Sequence, residues 1–188
     1  MLLQTAMPPA LHRWSTALVA LVGLWLLVPS TVEAQRRARL DTQLGAEIMQ
    51  DTETGETVAR PVTRLQLAVE AAGPLEVGVY LQAVARELPL KSPGFGGGLS
   101  FALRPEIEAL RLRPLLQASA GYAALPGGQM RSVGALDVSL TGGLAVELTD
   151  FVAVEVRASH HWRLGLPDAA TLRHRAWSAT GGLSFTWE

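Results

Sequence analysis

From residue 40 onward the sequence alternates between apolar and polar positions. Leu40, Thr42, Leu44, Ala46 and Ile48 share one parity, and Asp41, Gln43, Gly45 and Glu47 share the other. Side chains that change face at every residue mark a β-strand, whereas a helix would repeat its apolar positions every three to four. The same alternation returns at 65–71, 75–83, 99–103, 110–122, 136–147, 152–159 and 177–187. An even number of strands suits an antiparallel up-and-down barrel with both ends on one side. The connections at 72–74 and 105–109, which carry Gly or Pro, and Leu148-Thr149-Asp150 read as short turns. Those at 51–61, 87–94, 123–131 and 164–171 read as longer loops. Pro114 falls inside the fifth strand and lacks an N–H for the ladder, which predicts a bulge or local break there.

Alternation alone does not say which face meets water. A soluble lipocalin-like barrel turns its apolar face inward around a ligand, and a membrane barrel turns it outward to lipid. The polar parity is rich in small residues, including Gly78, Gly98, Ser100, Ser119, Gly121, Ser139, Gly182 and Ser184. Small groups fit the crowded interior of a narrow barrel, whereas a water-facing exterior favours long Lys and Glu side chains. The chain has a single lysine, Lys91. Over the strands as bounded above, the apolar parity carries no Asp, Glu, Lys or Arg. Charges crowd the polar parity instead: Asp41, Glu47, Arg64, Glu70, Glu76, Arg86, Arg104, Arg111, Arg113, Asp137, Glu147, Glu155 and Arg157. Opposite charges in so narrow a lumen are expected to pair, because an unpartnered buried charge costs about 3–5 kcal/mol. The expected fold is therefore an all-β, eight-stranded antiparallel transmembrane barrel with a plugged lumen. The alternative is a soluble periplasmic barrel holding a small apolar ligand.

The beginning of the chain supports export. His12 and Arg13 precede an apolar run over 17–28, followed by Val32, Glu33 and Ala34. A basic flank, a short apolar stretch and a small-x-small site describe a secretory signal peptide, too short to span a membrane as a helix. Residues 1–34 are expected to be removed, leaving 35–188 as one barrel domain. The absence of cysteine excludes disulfides and thiolate chemistry, and a net charge of −1 gives no electrostatic case for nucleic acid.

The last strand carries a more specific pattern. Thr180, Gly182, Phe185 and Trp187 occupy the polar, glycine, apolar and aromatic positions of an eight-residue segment, with Glu188 following. In this the chain resembles the small eight-stranded outer-membrane barrels of OmpA or OmpX type, and the resemblance spans nearly all of 35–188. It implies an outer-membrane location, a C-terminal strand read by the outer-membrane assembly machinery, and contact with membrane lipid. It also implies aromatic girdles, with Phe185 and Trp187 at the periplasmic rim and Tyr122, Trp162 and Trp177 near the outer one.

Catalytic chemistry has one candidate cluster. It consists of Ser159, His160 and His161, with His174 across the following loop, but alternation turns Ser159 and His161 inward and His160 outward beside Trp162. Ser159 and His161 are two residues apart on one strand, about 7 Å between Cα atoms, and no third group stands ready to orient the imidazole. Neither a metal site nor a cofactor is expected: the histidines lack ligand spacing, and Gly96–Gly98 lack the Lys and Ser/Thr of a phosphate loop. The reading is a non-enzymatic barrel with a structural or surface-interaction role. A lipid-modifying barrel enzyme is a weaker alternative.

Overall fold

The computed structural model describes residues 37–50, 57–85, 94–107, 111–126, 132–165 and 173–187. The segment 1–34 and Arg86 lie outside the described residues, as does most of each longer loop. Eight strands form: β1 (Ala38–Gln50), β2 (Thr57–Ala72), β3 (Leu75–Val84), β4 (Gly94–Leu103), β5 (Leu112–Pro126), β6 (Ser132–Glu147), β7 (Val152–Gly165) and β8 (Arg173–Trp187). Each strand pairs antiparallel with its sequence neighbours, and β1 pairs with β8 from Ala38↔Trp187 to Gln50↔Arg175. The sheet is thus a closed barrel without a free edge, the condition that lets a β structure cross hydrocarbon. Even the shortest strands, β3 and β4 with 10 residues each, rise about 25 Å at a tilt of ~40°, matching the apolar band of a membrane.

Face assignment follows the alternation. Leu44, Leu81, Phe101, Leu116, Val156 and Trp177 are among the large apolar side chains exposed on the outside, while Asp41, Gln66, Gln117, Glu155 and Arg163 are fully enclosed. Val154 and Glu155, neighbours on β7, differ from 40% to 1% exposed. An apolar exterior around a charged interior inverts a soluble barrel, so the lipocalin-like alternative fails on this geometry.

Several boundaries differ from those the alternation predicts. β2 begins at Thr57, β5 continues to Pro126, β7 continues to Gly165 and β8 begins at Arg173. The hydrophobic signal fades toward the rim because polar side chains are admitted at a membrane interface, while the backbone ladder runs on. The longer β8 also puts Arg173 and Arg175 at the outward parity, which carries no charge over 177–187. The predicted bulge at Pro114 does not occur: Pro114 pairs with Leu144 in unbroken register. The β4–β5 ladder has already ended at Leu103↔Leu116, so no strand on that side misses the N–H. The register shift that does occur lies at Glu70/Ala72, beside the turn at Gly73, whose φ is +53°. Connections 73–74, 104–111 and 148–151 share a rim with the barrel's two ends. The contrast with the other rim is softer than predicted, since 104–111 is as long as most connections there.

Candidate functional site

The lumen concentrates the chemistry of this chain. On its terminal side, β1 contributes Arg39 and Asp41, β3 contributes Glu76, Arg104 follows β4, and β7 contributes Glu155 and Arg157. Arg39 pairs with Glu76 through both terminal nitrogens, and its Nε donates to Asp41 at 3.0 Å. Arg157 donates to Glu155 at 2.7 and 2.9 Å and to Asp41 at 2.5 Å. Arg104 reaches Glu155 at 3.1 Å and stands 3.5 Å from Glu76. Every carboxylate here serves at least two guanidinium groups, which lets their desolvation be offset from more than one direction.

A neutral layer follows toward the middle. Gln66 and Gln117 bond reciprocally across the lumen at 3.2 and 3.3 Å, and Arg157 donates to both amide oxygens. Ser119 bonds Ser139 at 2.6 Å, and Thr141 bonds Ser159 at 2.8 Å. Arg64 lies 4.0 Å over the Tyr80 ring, a cation–π contact, with a long 3.5 Å donation to Ser119 and no ion pair among the described residues.

The outer layer is built differently. Arg163 forms a two-pronged pair with Glu47 at 2.7 and 2.5 Å, and both side chains are wholly enclosed. His161 places Nδ1 3.2 Å from Asp137 and Nε2 3.1 Å from the Ser178 hydroxyl. Ser178, His161 and Asp137 therefore have the connectivity of a nucleophile, a base and an orienting carboxylate. The crevices toward the two ends of the lumen each offer about 10 Å³, near the minimum for one water molecule. No grouping of three His, Cys, Asp or Glu side chains suited to a metal ion occurs among the described residues.

Of the charged residues singled out from the sequence, Asp41, Glu47, Arg64, Arg104, Asp137, Glu155 and Arg157 are buried in the lumen, and Glu76 nearly so. Arg113 and Glu147 pair at 2.5 Å at the terminal rim, with Glu106 3.3 Å from Arg113. Glu70 is half-buried at that rim and makes no ion pair among the described residues. Arg111 is a correction: it precedes β5, adopts a left-handed turn conformation with φ of +49°, and is exposed outside the lumen. Arg39, Arg163 and His161 carry much of the network without having been assigned to it. Arg39 lies before residue 40 and Arg163 after residue 159, so both sit beyond the ends of the alternation as the sequence bounds it.

On the last strand, Thr180 and Gln43 bond through their side chains at 3.2 Å, and a Cβ at Gly182 would overlap the Thr42 carbonyl oxygen. Phe185 and Trp187 face outward near the terminal rim. Tyr122, Trp162 and Trp177 face outward toward the other.

No protein-family model matches the sequence, and no curated protein matches it. Solved structures do share the fold. Neisserial surface protein A aligns with a TM-score of 0.62 at 12% identity, over 79% of this chain and 96% of that one. The N-terminal β-barrel domain of Pseudomonas aeruginosa OprF gives 0.57 at 10% identity, over 80% and 97%. Ail, the attachment invasion locus protein of Yersinia pestis, gives 0.52 at 13% identity, over 82% and 100%. The architecture is that of the small eight-stranded outer-membrane β-barrels.

Proposed function

We propose that this outer-membrane barrel is a plugged, non-enzymatic structural or surface-interaction protein, with the connections at 51–56, 85–93, 127–131 and 166–172 displayed outside the cell. One observation carries the reading: among the described residues the lumen is crossed by ion pairs and amide bridges, and the crevices toward its two ends each offer about the space of one water. The buried guanidinium groups Arg39, Arg64, Arg104, Arg157 and Arg163 are balanced by Asp41, Glu47, Asp137, Glu155 and the nearly buried Glu76. Equal numbers of opposite buried charges leave this part of the lumen without a net charge to favour ions of one sign, and eight strands leave no wide channel. That supports a role for the outer surfaces and loops rather than for the interior.

The proposal includes removal of 1–34 and recognition of β8 by the assembly machinery through Thr180, Gly182, Phe185 and Trp187. Liposome swelling tests the plug. Vesicles carrying the folded protein should exclude a small sugar as well as protein-free vesicles do, and rapid swelling would refute a closed lumen. The absence of catalysis is tested with outer-membrane lipids and a fluorophosphonate. Neither acyl release nor labelling of Ser178 is expected, and labelling that the His161→Gln variant abolishes would establish an enzyme.

A further inference from the structure

Arg175 is a charge at the outward parity of β8, which it shares with Arg173 two positions earlier. Its side chain is exposed and makes no ion pair among the described residues. It sits directly opposite Trp162 on β7, and the next outward pair along the two strands is His160↔Trp177. These four side chains make a two-by-two patch at the depth of the outer aromatic girdle. The His160 ring packs edge-on against Trp162 and tilted against Trp177, with ring centroids 4.3 Å apart in both cases. His160 Nδ1 is covered and has no hydrogen-bond partner.

Two facts about this patch call for a ligand. A guanidinium that makes no ion pair among the described residues is placed where the protein meets the membrane interface, and the fully buried carboxylates described are committed to the lumen. Beside it, an imidazole is held by two indoles instead of by a hydrogen-bonding partner. Guanidinium binds phosphate oxygens through two parallel N–H donors, and indole and imidazole add N–H donors around it. We propose that Arg175, His160, Trp162 and Trp177 form a binding site for the phosphate of an anionic lipid in the outer leaflet. Arg175 supplies the forked donor, and the indoles lie along the first carbons of the lipid. The site rests on the membrane placement of the barrel, and it is independent of what the lumen or loops do.

The test uses the chain without residues 1–34, whose described tryptophans are Trp162, Trp177 and Trp187. The protein is folded into phosphatidylcholine vesicles containing a minor fraction of brominated phosphatidic acid or, in a parallel arm, brominated phosphatidylcholine. Quenching of tryptophan emission then reports which lipid gathers at the indoles, with Trp187 on the opposite rim as an internal reference. Phosphatidic acid should be preferred by about tenfold, the worth of one charge-assisted pair. Arg175→Gln should bring the preference to within about twofold, and Arg175→Lys should retain part of it. Equal preference in the parent and Arg175→Gln proteins would overturn the site. So would full competition by ~10 mM inorganic phosphate, since a lipid held by two contacts outlasts a free anion. Heat-modifiable gel mobility is measured in each sample. Its absence from the parent protein would indict the membrane reading itself, whereas its presence with no lipid preference would indict this site alone.

Discussion

The two ends of the lumen solve the same problem in opposite ways. On the terminal side, Arg39, Arg104 and Arg157 share Asp41, Glu76 and Glu155, so each charge has more than one partner. On the loop side, Arg163 depends on Glu47, with only a 3.5 Å approach to Asp137 as a second contact. A shared network tolerates the loss of one member because its neighbours keep a counter-charge. A single enclosed pair does not. Burial alone therefore does not rank these residues: Glu47 and Glu155 are equally enclosed and differ in how replaceable they are.

The comparison is broken most directly by Glu47→Leu. It leaves the Arg163 guanidinium enclosed with little compensation, and we predict a loss of about 3–5 kcal/mol in urea unfolding from lipid vesicles. The double variant Glu47→Leu/Arg163→Leu should recover most of that loss, because removing both charges removes the unpaired one. A double variant as unstable as the single would show that packing, not charge, sets the cost. Glu155→Leu comes next, at about 1.5–3 kcal/mol, since Arg157 keeps Asp41 and Arg104 keeps Glu76. If Glu155→Leu costs more than Glu47→Leu, the contrast between shared and single pairing is wrong. His161→Gln should cost about 1–2 kcal/mol by weakening the bridge between Asp137 and Ser178. Ser178→Ala, which removes one neutral partner, should be smallest at about 0.5–1.5 kcal/mol. Chemical denaturation of the series in one lipid composition checks the order.

The sequence revealed the faces far better than it revealed the partners. Val154 and Glu155 could be assigned to opposite sides because a period of two needs only local information. The same rule placed Arg157 inward. It could not pair Arg157 with Asp41, because the two are 116 positions apart and meet only when the barrel closes. Arg39 and Arg163 escape for a different reason: Arg39 stands before Leu40, where the alternation begins, and in β7 the outward His160 interrupts the apolar parity before Arg163. His161 was visible as an inward histidine, yet the carboxylate that orients it lies on the neighbouring strand β6, at a register no single sequence displays.

The inner face of β8 has a consequence for how the molecule comes together. Ser178, Thr180, Gly182 and Ser184 are all small, and they stand between β7, which carries Arg157 and Arg163, and β1, which carries Asp41 and Glu47. The long guanidinium arms pass over this low wall to reach their acids. Until the first and last strands join, those four charges belong to opposite margins of an unfinished sheet and can stay hydrated. Sealing the seam then couples dehydration, neutralisation and edge pairing in one event. We expect a bulkier wall, as in Ser178→Leu, to act mainly on that event. Slow closure with normal early strand formation, followed by time-resolved circular dichroism and gel mobility, would reveal it, whereas uniformly slowed kinetics would place the effect earlier in folding.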